Sequence, residues 1–166
     1  QIEDGKMQLN LQAQLLSEVI DEALAHIAVR TDRHTIHVNV IDELLMASMD
    51  LKLILQVIIN LVENAIKYTP AGTEIVITAK RANQKVVVQV ADNGNGIPDD
   101  KKARVFDIFY SGSNSYGESR CGLGLGLACC KAILSAHEEE IYILDNIPQG
   151  TVFEFTLKAV EVNSFE

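Results

Sequence analysis

The feature that most restricts this chain is where its glycines fall. Of ten, seven lie between Gly94 and Gly126, and the residues on either side of that window are regularly patterned. Regular elements must therefore form outside it, while inside it a bare backbone can approach another group closely. Before the window, Leu11, Leu15, Val19 and Ala23 recur at steps of four, which predicts an amphipathic helix over 11–28. The β-branched alternation of TIHVNVI predicts a strand over 35–41, and a second long helix is predicted over 50–68, stopped by Pro70 and Gly72. TEIVITAK (73–80) and KVVVQVAD (85–92) read as a hairpin about the polar residues 81–84. A helix over 123–136 and strands over 141–146 and 151–159 follow the window. This grouping predicts an α+β fold: a two-layer sandwich, one mixed sheet of about five strands with three helices on one face.

Composition narrows the function. At 166 residues the chain is one domain, and 14 basic against 23 acidic residues leave a net charge of −9. That field repels nucleic acid and anionic lipid, so neither DNA, RNA nor direct membrane contact is expected. Lys52, Gln56, Asn60 and Glu63 interrupt the most apolar stretch, well short of the roughly 18 residues that span a bilayer. Cys121, Cys129 and Cys130 show no CxxC spacing and imply no disulfide framework; thiols on a helix in a reducing compartment are expected.

Three motifs carry chemistry. On the 50–68 helix, Asn60, Asn64 and Lys67 stand at i, i+4 and i+7, within about 60° of arc. Amide oxygens can ligate a hard cation and an ammonium can meet phosphate, although a solvated helix face has the same pattern. DNGNGIP (92–98) puts a carboxylate at a strand end, where it can accept a hydrogen bond from an exocyclic amine. Its Asn-Gly pairs are also turn dipeptides, but the following PDDKKARVFD does not read as a hairpin's second strand. GLGLGLACC (122–130) opens into a helix, and bare amides at a helix start bind anions. It neither follows a strand nor ends in Lys-Ser/Thr, which disfavours the two common glycine-rich nucleotide folds.

The order of these motifs is more specific than any one of them. Asn60-Leu-Val-Glu-Asn64-Ala-Ile-Lys67-Tyr68, Asp92-Asn-Gly94-Asn-Gly96, Phe106-Asp-Ile-Phe109 and Gly122-Leu123-Gly124-Leu125-Gly126 resemble, in sequence, the N, G1, F and G2 boxes. Those boxes define the ATP-binding catalytic domain of sensor histidine kinases, in the superfamily of gyrase, the ninety-kilodalton heat-shock chaperone and MutL. The stretch from Phe106 to Leu134 further resembles the potassium-responsive, Kdp-type sensor kinases. The resemblance implies a Bergerat-type fold over residues 10–160. Residues 1–9 would end a preceding dimerisation and phosphoacceptor hairpin, and 161–166 would be a tail.

It further implies ATP and Mg²⁺, transfer of the γ-phosphoryl to a histidine on that missing domain, and a cognate response regulator reached through the full-length kinase. The location implied is cytoplasmic, as the soluble domain of a membrane-anchored sensor. By the same resemblance Asn64 is the Mg²⁺ ligand and Asn60 shares its site, while Lys67 and Tyr68 contact phosphates and line the pocket. Asp92 reads adenine over Gly94, Gly96 and Ile97, with Thr151 nearby. Phe106 and Phe109 pack a lid over about 107–121. Gly122, Leu123, Gly124, Leu125 and Gly126 seat the phosphates.

Two departures stand out. Ser111 replaces an arginine common in relatives, with Arg120 or Lys131 as compensating cations, and His137-Glu138-Glu139-Glu140 replaces His-Gly-Gly. A glutamate forced into a left-handed helix stop costs about 1 kcal/mol. No histidine here has a phosphoacceptor context, and His26, His34, His37 and His137 read as structural or surface residues. The alternatives are a nucleotide-binding regulatory module without kinase activity, and an ATPase or serine kinase of the same superfamily.

Overall fold

The computed structural model describes residues 2–3, 6–27, 33–42, 44–102, 104–106 and 126–161. Two short strands, β1 (Ile2–Glu3) and β2 (Lys6–Met7), pair with each other ahead of the main body. The rest is a seven-stranded sheet with helices packed on it. In chain order the elements are β3 (Gln12–Leu15), α1 (Leu16–Ile27), β4 (Thr35–Val40), β5 (Met46–Met49), α2 (Leu51–Lys67), β6 (Glu74–Ala82), β7 (Lys85–Asp92), α3 (Asp99–Lys102), α4 (Gly126–Ala136), β8 (Ile141–Asp145) and β9 (Thr151–Val160).

The sheet runs β3-β5-β9-β7-β6-β4, all antiparallel except the edge pair β6–β4. β8 lies along the first half of β9, on the side that β5 occupies further on. The expected class holds, but the sheet has seven strands rather than about five. One extra strand sits where the sequence suggests a helix, the other where it suggests no element. Residues 12–15 form β3, not the first turn of the 11–28 helix, and β5 (MASM) is unanticipated. A spacing of four fits a period of two as well as one of 3.6, so Leu11 and Leu15 do not distinguish strand from helix.

Alternation decides which sheet face is covered. Along β7, Val86, Val88 and Val90 face inward and are buried; on β9, Phe153, Phe155 and Leu157 do the same. The helices meet them with Leu16, Val19, Ile20, Ala23 and Ile27 of α1, Ile54, Val57, Ile58, Leu61 and Val62 of α2, and Cys130, Ile133 and Leu134 of α4. Cys130 behaves as a small apolar group: burial pushes its thiol up to about 12. Cys129, against the expectation of thiols alone, is disulfide-bonded. Spacing along a chain says nothing about which cysteines tertiary folding brings together.

A polar junction ties the helix ends. Asp50 caps α2 by accepting from Leu53 N–H, and its other oxygen accepts from Asn10 N–H at 3.0 Å, on the segment that leads into β3. The Asp50 N–H donates to His137 Nε2 at 3.0 Å, while Nδ1 of the same ring lies 2.8 Å from the Ile133 carbonyl. The family's glycine position is met without glycine. Glu138 takes φ 63°, and the Glu139 N–H closes the stop on Leu134 O at 2.8 Å. The Glu139 carboxylate, 6% exposed, is gripped by Lys85 Nζ at 2.6 and 2.7 Å and by Thr156 Oγ1 at 2.7 Å.

Two substitutions separate strain from grip. Glu138→Gly is expected to raise stability by about 0.5–1 kcal/mol by relieving the left-handed turn, and Glu139→Ala to lower it by about 1–3 kcal/mol. Urea denaturation of each variant measures both shifts; a Glu138→Gly variant less stable than the parent would show that this turn is not strained.

Candidate functional site

The inward alternation of β7 ends on a charge. After Val86, Val88 and Val90 the next inward position is Asp92, a carboxylate only 6% exposed. Its register partner on β9 is Thr151, also buried, and β8's Asp145 continues the same row. One carboxylate oxygen, Oδ1, accepts from Gly94 N–H at 2.9 Å and from Thr151 N–H at 3.3 Å. Among the described residues, Oδ2 accepts from none. Burial raises the Asp92 pKa from its ordinary value, and the two backbone donors partly offset it.

The turn around this carboxylate leaves no room for side chains. A Cβ on Gly150 would lie 1.9 Å from the Asp92 carbonyl oxygen, and Gly150 holds φ 118°. A Cβ on Gly94 would lie 2.6 Å from Thr69 Cγ2. Asn146 Nδ2 donates to Asp92 O at 2.8 Å and Gln149 Nε2 to Gly94 O at 3.0 Å, so the β8–β9 turn braces the strand end from outside. Asn146, Gln149, Gly150 and Thr69 are the members of this site that sequence reasoning missed. A glycine directly ahead of a β-rich segment was their one signal.

α2 connects this end of the sheet to the start of α4. At its C-terminus Thr69 sits under Gly94, donates to Ala65 O and meets His34 Nε2 at 3.0 Å. Midway along, Asn60 Nδ2 donates to Gly126 O at 3.4 Å, and Gln56 Nε2 donates to Asn60 Oδ1 at 3.0 Å. Asn64 lies one turn past Asn60, about 6 Å along the axis, and among the described residues its half-buried side chain makes no hydrogen bond. Its open amide oxygen fits a hard cation that takes one protein ligand and completes its shell with phosphate and water. Lys67 Nζ lies 5.3 Å from the ring of exposed Tyr68.

Ile97 follows the glycine turn and packs against the core. Lys102 Nζ donates to its carbonyl at 3.1 Å and pairs with Asp99 and, at 2.8 Å, with Asp145, which raises the ammonium's pKa. Phe106 meets Phe153 edge-on, centroids 6.5 Å apart, with Lys131 Nζ 5.8 Å over its ring. The structure thus gathers Asp92, Gly94, Gly96, Ile97 and Thr151 at the sheet end. It sets Asn60, Asn64, Lys67 and Tyr68 along α2, with Gly126 opposite Asn60. Phe109, Ser111, Arg120, Gly122, Leu123, Gly124 and Leu125 lie outside the described residues. His34 and His137 make fold-internal hydrogen bonds.

Because burial raises the Asp92 pKa, its ionised form is costlier in the folded chain than in the unfolded one. Its favourable contribution is full below the ordinary carboxylate value and is lost as pH rises through the raised one. Asp92→Asn is therefore expected to unfold at equal or higher urea than the parent at pH 7, the difference narrowing as pH falls into the carboxylate range. An Asp92→Asn variant clearly less stable at pH 7 would mean that the charge stabilises the free protein.

Residues 49–161 match the family described as "Histidine kinase-, DNA gyrase B-, and HSP90-like ATPase". The sensor protein KdpD of Clostridium acetobutylicum is 36% identical over 155 residues, 93% of this chain and 17% of that protein. The adaptive-response sensory kinase SasA of Gloeothece citriformis is 45% identical over 109 residues, 65% of this chain and 27% of that protein. The chain therefore spans well under a third of these curated relatives. Among solved structures, the nucleotide-free catalytic domain of histidine kinase ThkA is similar at TM-score 0.78 and 29% identity, covering 90% of this chain and 97% of that one. ThkA in complex with the response regulator protein TrrA is similar at TM-score 0.73 and 29% identity, covering 90% and 42%.

Proposed function

We propose a phosphoryl-donor role for this chain, which belongs to the histidine kinase-, DNA gyrase B- and HSP90-like ATPase family and is an ATP-binding catalytic domain of the sensor histidine kinase type. ATP bound here, with Mg²⁺, gives its γ-phosphoryl to a histidine on a separate dimerisation domain. One observation carries the reading: a buried carboxylate at a strand end with one oxygen fixed by two backbone amides and the other, among the described residues, unengaged. An acceptor so placed suits the adenine amino group and is a poor match for a ring carbonyl.

The remaining roles follow the positions. Asp92, Thr151, Gly94, Gly96 and Ile97 form the base end. Asn64 would hold the metal, with Asn60, Lys67 and Tyr68 along the same helix and Gly126 closing the phosphate end. The metal would neutralise phosphate charge. This chain's own residues bind the base, align the triphosphate and present its far end to the acceptor, so catalysis here is positioning. Phe106, held against Phe153, precedes the segment in which Phe109 would pack a lid and Arg120, Gly122, Leu123, Gly124 and Leu125 would meet the phosphates. The proposed setting is the cytoplasmic part of a membrane-anchored sensor, with residues 1–9 leading from the dimerisation hairpin and a response regulator as downstream partner. ThkA was crystallised with such a regulator. No helix among the described residues is long and apolar enough to cross a membrane.

Calorimetric titration with a non-hydrolysable ATP analogue, with and without Mg²⁺, tests the reading. Wild type should bind the analogue, bind GTP poorly, and gain affinity from Mg²⁺; Asn64→Ala should lose most of that gain while keeping its fold. A Mg²⁺ enhancement intact in Asn64→Ala would move the metal elsewhere. Incubation with ATP and a separately supplied histidine hairpin domain distinguishes the kinase from the alternatives: the proposal expects phosphohistidine. Binding without phosphohistidine would favour a regulatory module, and free phosphate or phosphoserine instead would favour an ATPase or serine kinase.

A further inference from the structure

Gln56 has no part in the roles assigned above, yet it is the only described residue that donates to the Asn60 side-chain oxygen. It lies half-buried on α2, one turn before Asn60. The Asn60 carboxamide is polar at both ends and can be held in either of two flips. The Gly126 carbonyl can only accept, so it takes the Nδ2 end, which leaves Oδ1 toward the Gln56 carboxamide, whose Nε2 donates to it at 3.0 Å. Nδ2 is then directed at the carbonyl of Gly126, 66 positions away and the first residue of α4. One turn further along α4, the buried Cys130 Sγ lies 3.8 Å from Val57 O, so the two helices are also in contact beside the amide. Without a donor at Gln56 the amide loses the contact that holds its oxygen end and is free to rotate away from the Gly126 carbonyl.

We propose that Gln56 is a positioning residue: by fixing the Asn60 amide it fixes the start of α4, and with it the phosphate end of the nucleotide site. This rests on the nucleotide reading above and adds a specific division of labour to it. The adenine end, built on Asp92, Gly94 and Thr151, is braced by Asn146 and Gln149 instead, and owes nothing to Gln56. Gln56 should therefore matter to the triphosphate and not to the base.

The test uses this chain with Gln56→Met, close in size but without the donor, and Gln56→Glu, which replaces the donor by an acceptor. Affinities are measured for a non-hydrolysable ATP analogue with Mg²⁺ by calorimetry, and for adenosine by NMR titration. Gln56→Met should weaken the analogue about three- to tenfold, Gln56→Glu at least as much, and neither should change adenosine affinity. In an Asn60→Ala background, Gln56→Met should have no further effect, because its action passes through Asn60. Equal losses for the analogue and adenosine, or an undiminished loss in the Asn60→Ala background, would overturn the inference. A wild-type chain that binds neither ligand would instead overturn the nucleotide reading, and this inference with it.

Discussion

A carboxylate buried where the alternation of a strand calls for an apolar side chain is the constraint on which the site depends. Asp92 continues the inward series of Val86, Val88 and Val90, and among the described residues its charge is met by backbone rather than by a cation. That choice has consequences for its neighbours. Thr151 must lie opposite in register for its N–H to reach Oδ1, which requires β9 beside β7 rather than β6. Gly150 must be glycine, because any Cβ there would overlap the Asp92 carbonyl. Gly94 must turn back at once, above Thr69, which ties the end of α2 to the same point. A lysine in place of one of these donors would neutralise the charge but also occupy the second oxygen, which the present arrangement leaves open.

α2 carries this constraint to the rest of the molecule. Its apolar side is bound into the core, its cap is fixed by Asp50 and, through it, by His137 at the far end of α4. Its polar stripe runs from Gln56 and Asn60, against the start of α4, to Thr69 beneath the carboxylate turn. A single rigid helix thus sets the distance between the sheet end and the helix start that follows the glycine-rich segment. The replacement of the family's glycines by glutamates leaves this frame intact: Glu138 bears the left-handed turn and Glu139 is anchored to Lys85 and Thr156, on the sheet rather than at the site.

Much of this was legible in the sequence, for identifiable reasons. The β6–β7 hairpin, α2 and β9 each repeat one period long enough to be unambiguous, and the inward position of Asp92 follows from counting by twos along β7. β3 and β5 were not legible. Each has four residues, too few to establish a period, and β3 adjoins a helix with which its leucine spacing is continuous. The braces around Asp92 were hidden for a different reason. Asn146 and Gln149 reach the turn across more than fifty positions, and no local pattern encodes a partner chosen by sheet order. The Glu139 anchor is hidden in the same way, since Lys85 and Thr156 meet it only after β7 and β9 pair.

The central claim is that the open oxygen of Asp92 reads the adenine amino group. A thermodynamic cycle tests it most directly: wild type and Asp92→Asn are each titrated with an ATP analogue and with its purine counterpart lacking the 6-amino group. In the variant, Oδ1 can still accept from Gly94 and Thr151 while an NH₂ replaces the free oxygen, so only the contact in question changes. The account predicts that wild type prefers the amino-bearing nucleotide, that Asp92→Asn does not, and that the two changes couple by about 1–3 kcal/mol. Additive effects, with the same preference in both proteins, would contradict it.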